Sequence, residues 1–111
     1  MTEKTLDPSA FMQLQEATGA EFAAELLDAF FSEAPVMLAD LKSAFEAQDV
    51  DRFRRAAHSL KSNAGTFGAT ALETQARALE LDGLAGAAEA LGEIDQSYAQ
   101  AAQALQDLKD A

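Results

Sequence analysis

The most restrictive feature of this 111-residue sequence is the spacing of its apolar residues near the C-terminus. They recur at alternating steps of three and four, at Leu84, Ala87, Leu91, Ile94, Tyr98, Ala101, Leu105 and Leu108. Such steps place side chains on one face of an α-helix, whereas a half-buried strand needs alternation at every second residue. The pattern predicts a helix over residues 84–109 that packs in a bundle.

A short helix is predicted at the start of the chain, over residues 8–17. Asp7 can cap it, and Pro8 suits the first helical position because its missing N–H would be unsatisfied there anyway. Gly19 is typical of the residue that follows a helix.

Three further helices are predicted over residues 20–47, 50–66 and 70–82, and Asp49 is the N-cap candidate for the second of them. The apolar stripe of the first of them comprises Phe22, Leu26, Phe30, Ala34, Met37 or Leu38, Leu41 and Phe45. This stripe keeps its phase across Pro35, which favours one helix kinked near Pro35 over two separate helices.

These patterns leave no segment that resembles a strand, a repeat or a linker. Apolar residues make up 49% of the sequence, enough for one core, and many are Ala and Leu, which favour helix. We therefore expect residues 1–111 to form a single all-α domain, an antiparallel four-helix bundle with a short additional N-terminal helix.

Composition excludes several classes of protein. The chain has no cysteine, which excludes a disulfide framework and a thiolate metal site. Its net charge of −11 would repel a nucleic acid. It has no apolar run long enough to span a membrane, and its first residues lack the basic start and apolar run of a signal peptide. These features predict a cytoplasmic protein that binds neither nucleic acid nor membrane.

The single histidine, His58, lies on the predicted third helix. At about 100° per residue, the apolar arc of this helix (Phe53, Ala56, Ala57, Leu60, Ala64 and Phe67) points away from His58. Around the histidine, within about 60°, the same geometry places Arg54, Arg55, Lys61, Ser62 and Gly65. The helix therefore presents His58 to solvent among cations and small residues.

The surroundings of this histidine favour phosphoryl chemistry over its alternatives. A stable metal site would need a second ligand such as another histidine, and hydrolysis would need a nucleophile and an oxyanion hole in a cleft. A neutral imidazole has one ring nitrogen free as a nucleophile, and Lys61, one turn further on, can attract a phosphoryl group. Because no glycine-rich nucleotide loop is present, the phosphoryl group would come from a partner.

The segment Ala57-His58-Ser59-Leu60-Lys61-Ser62-Asn63-Ala64-Gly65-Thr66-Phe67-Gly68-Ala69 resembles the signature of histidine-containing phosphotransfer (HPt) domains of bacterial phosphorelays. The family pattern is His-x-Leu-Lys-Gly with a second glycine ten residues after the histidine, here Gly68. Ser62 replaces the first glycine and is small enough to keep the surface accessible. Ala-Gly-Thr-Phe-Gly is also similar to the phosphorylated domain of chemotaxis kinases.

The resemblance implies that the chain carries a phosphoryl group between a sensor or hybrid histidine kinase, or a receiver domain, and the receiver aspartate of a response regulator. It implies His58 as the phosphoacceptor, Lys61 as the charge-stabilising neighbour and Glu80 as the residue that orients the imidazole. It implies no cofactor of the chain's own, with Mg²⁺ on the partner receiver. We expect a monomer.

The partner is expected to dock on the face formed by Arg54, Arg55, His58, Lys61, Ser62 and Gly65, together with Phe11 or Met12 of the first helix. Two other functions stay open on the sequence alone. One is a binding adapter that is not itself phosphorylated, for which Ser62 in place of glycine is the sequence support. The other is an autonomous enzyme that uses His58 as a general base.

Overall fold

The computed structural model describes residues 5–111 and contains five helices and no strand within them. They are α1 (Pro8–Thr18), α2 (Ala20–Ala47), α3 (Val50–Thr66), α4 (Thr70–Asp82) and α5 (Ala87–Asp110). The all-α class expected from the apolar spacing is confirmed. Part of the segment on which we judged the signal peptide, residues 1–4, lies outside the described residues.

Aspartates begin two of the helices, at the positions where the sequence places them. Asp7 accepts a hydrogen bond from the backbone N–H of Ser9 at 3.1 Å, and Pro8 follows as the first helical residue. Asp49 accepts one from the N–H of Arg52 at 3.1 Å. Each carboxylate satisfies an N–H that the first turn of a helix leaves unpaired, and so sets the start of α1 and α3.

The bundle forms because each of the four longer helices packs against two of the others. α3 lies between α2 and α4, α5 closes the bundle against α4 and α2, and α1 packs on α2. Successive long helices are joined by turns of two to four residues, so neighbours run antiparallel. Their buried apolar faces make one core cluster, whose largest members are Phe11, Leu27, Phe30, Leu41, Phe53, Leu60, Leu72, Ile94 and Leu105.

The stripe predicted for the first half of α2 was wrong by one residue. Ala23 and Leu27 are buried, whereas Phe22 is 50% exposed and Leu26 is only partly buried. Four residues rotate about 40° beyond a full turn of the helix, so each step of four moves the side chain further round the helix. Residues 22 and 26 therefore lie out of line with the buried Phe30. α2 continues through Pro35 as one helix, and a kink there stays a prediction.

The last helix begins at Ala87 rather than at residue 84. Gly83 and Gly86 have φ values of +67° and +71°, which end α4 and open a turn before α5. Leu84 is half-buried within that turn. It keeps the apolar spacing of α5 without being helical, because a turn residue can bury a side chain against the same core.

The turn between α3 and α4 is held by the start of α1. Gly68 has φ +74°, and its carbonyl accepts a hydrogen bond from the N–H of Asp7 at 2.7 Å. A Cβ on Gly68 would lie only 2.4 Å from the Asp7 carbonyl oxygen. In the same turn, the Phe67 ring packs on Phe30 at a centroid distance of 5.1 Å. These contacts hold the end of the histidine helix against the rest of the bundle.

Candidate functional site

His58 lies on the solvent side of α3, and its side chain is 60% exposed. The opposite face of the helix is buried, at Phe53, Ala57, Leu60 and Ala64. Ala56, expected in the same apolar arc, is only partly buried. The helical-wheel prediction of an outward-facing histidine on a well-packed helix therefore agrees with the structure.

One carboxylate of α4 contacts both functional groups of α3. Glu80 Oε2 lies 2.6 Å from His58 Nδ1, and Glu80 Oε1 accepts a hydrogen bond from Lys61 Nζ at 2.6 Å. The side chains of Glu80 and Lys61 are 18% and 26% exposed, so this bridge is more sheltered than the imidazole. Glu80 can reach both because it lies next to the buried Leu79, at the edge of the α3–α4 interface.

The pKa of Glu80 is lowered from its ordinary value near 4.5. The main cause is the hydrogen bond from Lys61; partial burial acts in the opposite direction, and the contact with His58 lowers the pKa further. Glu80 is therefore ionised at neutral pH and acts only as an acceptor.

An ionised Glu80 determines which ring nitrogen of His58 is free. Since the carboxylate has no proton to donate, the proton of the neutral imidazole is on Nδ1. Nε2 then keeps its lone pair, and none of the described residues hydrogen-bonds to it. The site consists of an exposed nucleophilic nitrogen on a ring that is held from behind by a negative charge.

Small and cationic residues surround the imidazole. Arg54, Arg55 and Ser62 are exposed, and Gly65 is partly buried. A Cβ on Gly65 would lie 2.8 Å from a carboxylate oxygen of Glu73 on α4. The absence of a side chain at Gly65 thus lets Glu73 lie across the histidine helix, one heptad before Glu80.

The first helix contributes differently from our expectation. Phe11 is fully buried in the core, so its placement on the docking surface was wrong. A large aromatic ring on a short helix stabilises the fold most by complete burial, and Phe11 is the one residue of α1 that is fully buried. Met12 is 51% exposed and remains available to a partner.

Two features of the site were not predicted from the sequence. The Lys61–Glu80 ion pair is one, and the pairing of Glu73 with Arg77 at 3.8 Å beside Gly65 is the other. The signal that could have found them is the heptad spacing of Glu73 and Glu80, which places both acids on one face of α4. That this face borders α3 is visible only in the fold.

Neither a metal centre nor a membrane span occurs in the described part of the chain. No three potential ligands among its His, Asp and Glu side chains are grouped as a metal site. None of its helices combines the length and apolar character needed to cross a bilayer.

The fold and site together define a class of protein: an all-helical bundle with one exposed histidine on the solvent side of a packed helix. The structure is similar to the crystal structure of histidine-containing phosphotransfer protein B (HptB) from Pseudomonas aeruginosa PAO1. The TM-score is 0.88 and the identity 24%, over 98% of this chain and 97% of that one. A comparison with curated protein sequences gave no significant match.

The family follows from the sequence itself, because the family model described as Hpt domain matches residues 25–109. The chain belongs to the Hpt domain family, and the resemblance seen in the histidine segment is confirmed. Its function is histidine phosphotransfer in a phosphorelay. Members of this family are phosphocarriers without an ATP site of their own, and they interact with histidine kinases and response-regulator receiver domains.

Proposed function

We propose that Nε2 of His58 is the atom that carries the phosphoryl group. The observation that carries this proposal is the pairing of an exposed ring with a 2.6 Å contact from Nδ1 to Glu80. His58 is also the only histidine in the sequence, so histidine phosphotransfer by this chain has one acceptor available.

In the accepting direction, the Nε2 lone pair attacks the phosphorus of a receiver's aspartyl phosphate. The N–P bond forms as the P–O bond to the aspartate breaks, and the bonding pair leaves with the aspartate carboxylate. The imidazole keeps its Nδ1 proton and gains positive charge, which the Glu80 carboxylate offsets from 2.6 Å. Delivery to the next receiver is the same step reversed.

Lys61 has the charge to stabilise the phosphorylated state. Its ammonium group is held by Glu80 on the same side of α3 as the imidazole. When three phosphoryl oxygens are added to Nε2, the ammonium group lies one helical turn away and can attract them. Glu80 then acts as a positioning residue for both the ring and the lysine.

The partner of this bundle is expected to supply the metal ion and the acidic pocket used in transfer. We infer that a receiver domain brings Mg²⁺ and its own acidic pocket, as the resemblance to HPt domains implies. Ser62 and Gly65 keep the surface beside His58 low, which lets that pocket close over the ring. The net charge of −11 supports a protein partner over a nucleic acid. We propose that the carrier is a cytoplasmic monomer.

Phosphotransfer from a ³²P-labelled receiver tests this assignment. Wild type is expected to acquire an acid-labile, base-stable label, and His58→Gln is expected to acquire none, because glutamine has no nucleophilic ring nitrogen. As a control, the exposed Gln103 on α5 is changed to Ala, which should leave labelling unchanged. Equal labelling of His58→Gln would contradict the assignment.

The same variant separates a carrier from an adapter when its receiver affinity and its signal output in cells are measured. A carrier loses signal output in His58→Gln even if receiver affinity is kept. An adapter that docks without being phosphorylated would keep both affinity and output in that variant. Turnover of ATP by the isolated chain would instead point to an autonomous enzyme.

A further inference from the structure

Two neighbouring arginines are exceptions to the ion pairing of this chain. Apart from Lys4, which lies outside the described residues, the other cations all have a carboxylate within 4 Å. The pairs are Lys42 with Asp95, Arg52 with Asp40, Lys61 with Glu80, Arg77 with Glu73 and Lys109 with Asp28. Arg54 and Arg55 are exposed and have no ion-pair partner in residues 5–111.

The absence of partners is unexpected in so acidic a chain, which has 19 Asp and Glu residues against 8 Lys and Arg. Asp51 precedes Arg55 by four residues, a spacing that favours ion pairs on a helix, yet the two do not pair. Asp40 lines the groove between α2 and α3 with Arg55, but it pairs with Arg52 at 3.3 Å. Both guanidinium groups therefore keep all their donors for another molecule.

The two arginines flank the phosphoacceptor. Arg54 and Arg55 precede His58 by four and three residues, which places them one turn away, about 40° to one side of it and 60° to the other. Arg55 leans towards the α2 groove, and Arg54 towards α4, the side on which Lys61 lies. The unpaired positive charge of the described chain is thus concentrated beside the histidine.

We propose that Arg54 and Arg55 dock an acidic patch, a cluster of Asp and Glu side chains, on the receiver domain; this rests on the proposed function. A guanidinium group binds a carboxylate through two parallel hydrogen bonds, and here no internal pair must break first. The net charge of −11 would otherwise repel an acidic partner. The pair supplies local attraction at the edge of the site and orients the partner over His58.

The test compares two double variants with the same change of net charge. Arg54→Gln/Arg55→Gln removes the unpaired charges, and Lys42→Gln/Lys109→Gln removes two paired ones on α2 and α5. The second-order rate of phosphotransfer from purified aspartyl-phosphorylated receivers encoded in the same genome is measured from low to physiological ionic strength. We expect the arginine variant to be about tenfold slower at low salt, with a weaker salt dependence, and the lysine variant to behave like wild type.

Each outcome bears on the inference. Equal rates and salt slopes for the arginine variant and wild type would overturn it and leave the proposed function intact. Equal slowing in both double variants would also overturn it, since net charge alone would then explain the effect. A wild-type chain that accepts no phosphoryl group from any of these receivers would remove the proposed function as well.

Discussion

At the scale of single residues, the carboxylate of Glu80 organises the site. Its two oxygens bind His58 on one side and Lys61 on the other, each at 2.6 Å. The contact to the ring selects the tautomer with Nε2 free, and the contact to the lysine holds a cation beside the ring. Two substitutions of Glu80 separate these roles.

Glu80→Ala removes both contacts, so the ring should populate both tautomers and phosphotransfer should slow by roughly tenfold or more. In Glu80→Gln the amide oxygen can still accept a hydrogen bond from His58 Nδ1–H but cannot form an ion pair with Lys61. This variant should therefore keep the wild-type tautomer, and its phosphotransfer should slow less. Imidazole ¹⁵N NMR and transfer rates measure the two effects. A wild-type spectrum and rate in Glu80→Ala would contradict the orienting role.

The lowered pKa of Glu80 makes a prediction for stability against pH. Its folded pKa is below the ordinary value near 4.5, so the ionised carboxylate stabilises the fold above that value, and the contribution declines as pH falls towards and through the folded pKa. The free energy of unfolding of wild type minus that of Glu80→Gln, from urea titrations, should therefore shrink as the pH falls below about 4.5. A difference that grew over that range would contradict the lowered pKa of Glu80.

At the scale of elements, the position of α3 depends on the turn that follows it. Gly68 joins this turn to α1 through the hydrogen bond from Asp7, and Phe67 joins it to α2 through Phe30. The short first helix therefore contributes to the site by bracing the end of the histidine helix. Its buried Phe11 anchors α1 in the common core.

Gly68→Ala should destabilise the protein by roughly 2–5 kcal/mol, because it adds a strained positive φ and a Cβ that overlaps the Asp7 carbonyl. Gly86→Ala is the matched control. Its φ of +71° is similar, but the added Cβ meets nothing within 4 Å, so it should cost only about 1 kcal/mol. Thermal and urea unfolding measure both, and equal losses would show that the contact with α1 contributes nothing.

At the scale of the whole molecule, attraction within ion pairs opposes repulsion among the excess acidic residues. Two ion pairs connect α2 to α5, Lys42 with Asp95 and Lys109 with Asp28, and all four residues are at least partly exposed. Exposed pairs of this kind contribute only about 0–1 kcal/mol each. The net charge of −11 destabilises the folded state, because the excess negative charges repel one another more strongly when the chain is compact.

Because repulsion outweighs these few surface pairs, moderate NaCl should raise the melting temperature. At about 0.15 M salt the screening length falls to roughly 8 Å, which weakens repulsion between distant acids more than attraction within close pairs. Calorimetry at low and physiological ionic strength checks this, with KCl at equal strength as the control for specific ion effects. A fall in melting temperature would mean that the ion pairs dominate.

Much of the fold could be predicted from the sequence because helical periodicity is a local property. The caps at Asp7 and Asp49 and the glycines near helix ends indicated most boundaries. Two errors arose because apolar spacing does not settle which phase is buried or where a helix begins: Phe22 matched a four-residue spacing that the core does not follow, and Leu84 matched the spacing of α5 while lying in a turn.

The sequence by itself determined the parts of the site that lie on one helix. The outward position of His58, with Lys61 one turn on and a buried face behind, follows from 3.6 residues per turn. Only the tertiary structure decided the contacts between helices: the two contacts of Glu80, the approach of Glu73 to Gly65 and the burial of Phe11. The physical reason is that such contacts depend on the register and rotation of two packed helices, which core side chains from the whole chain set together.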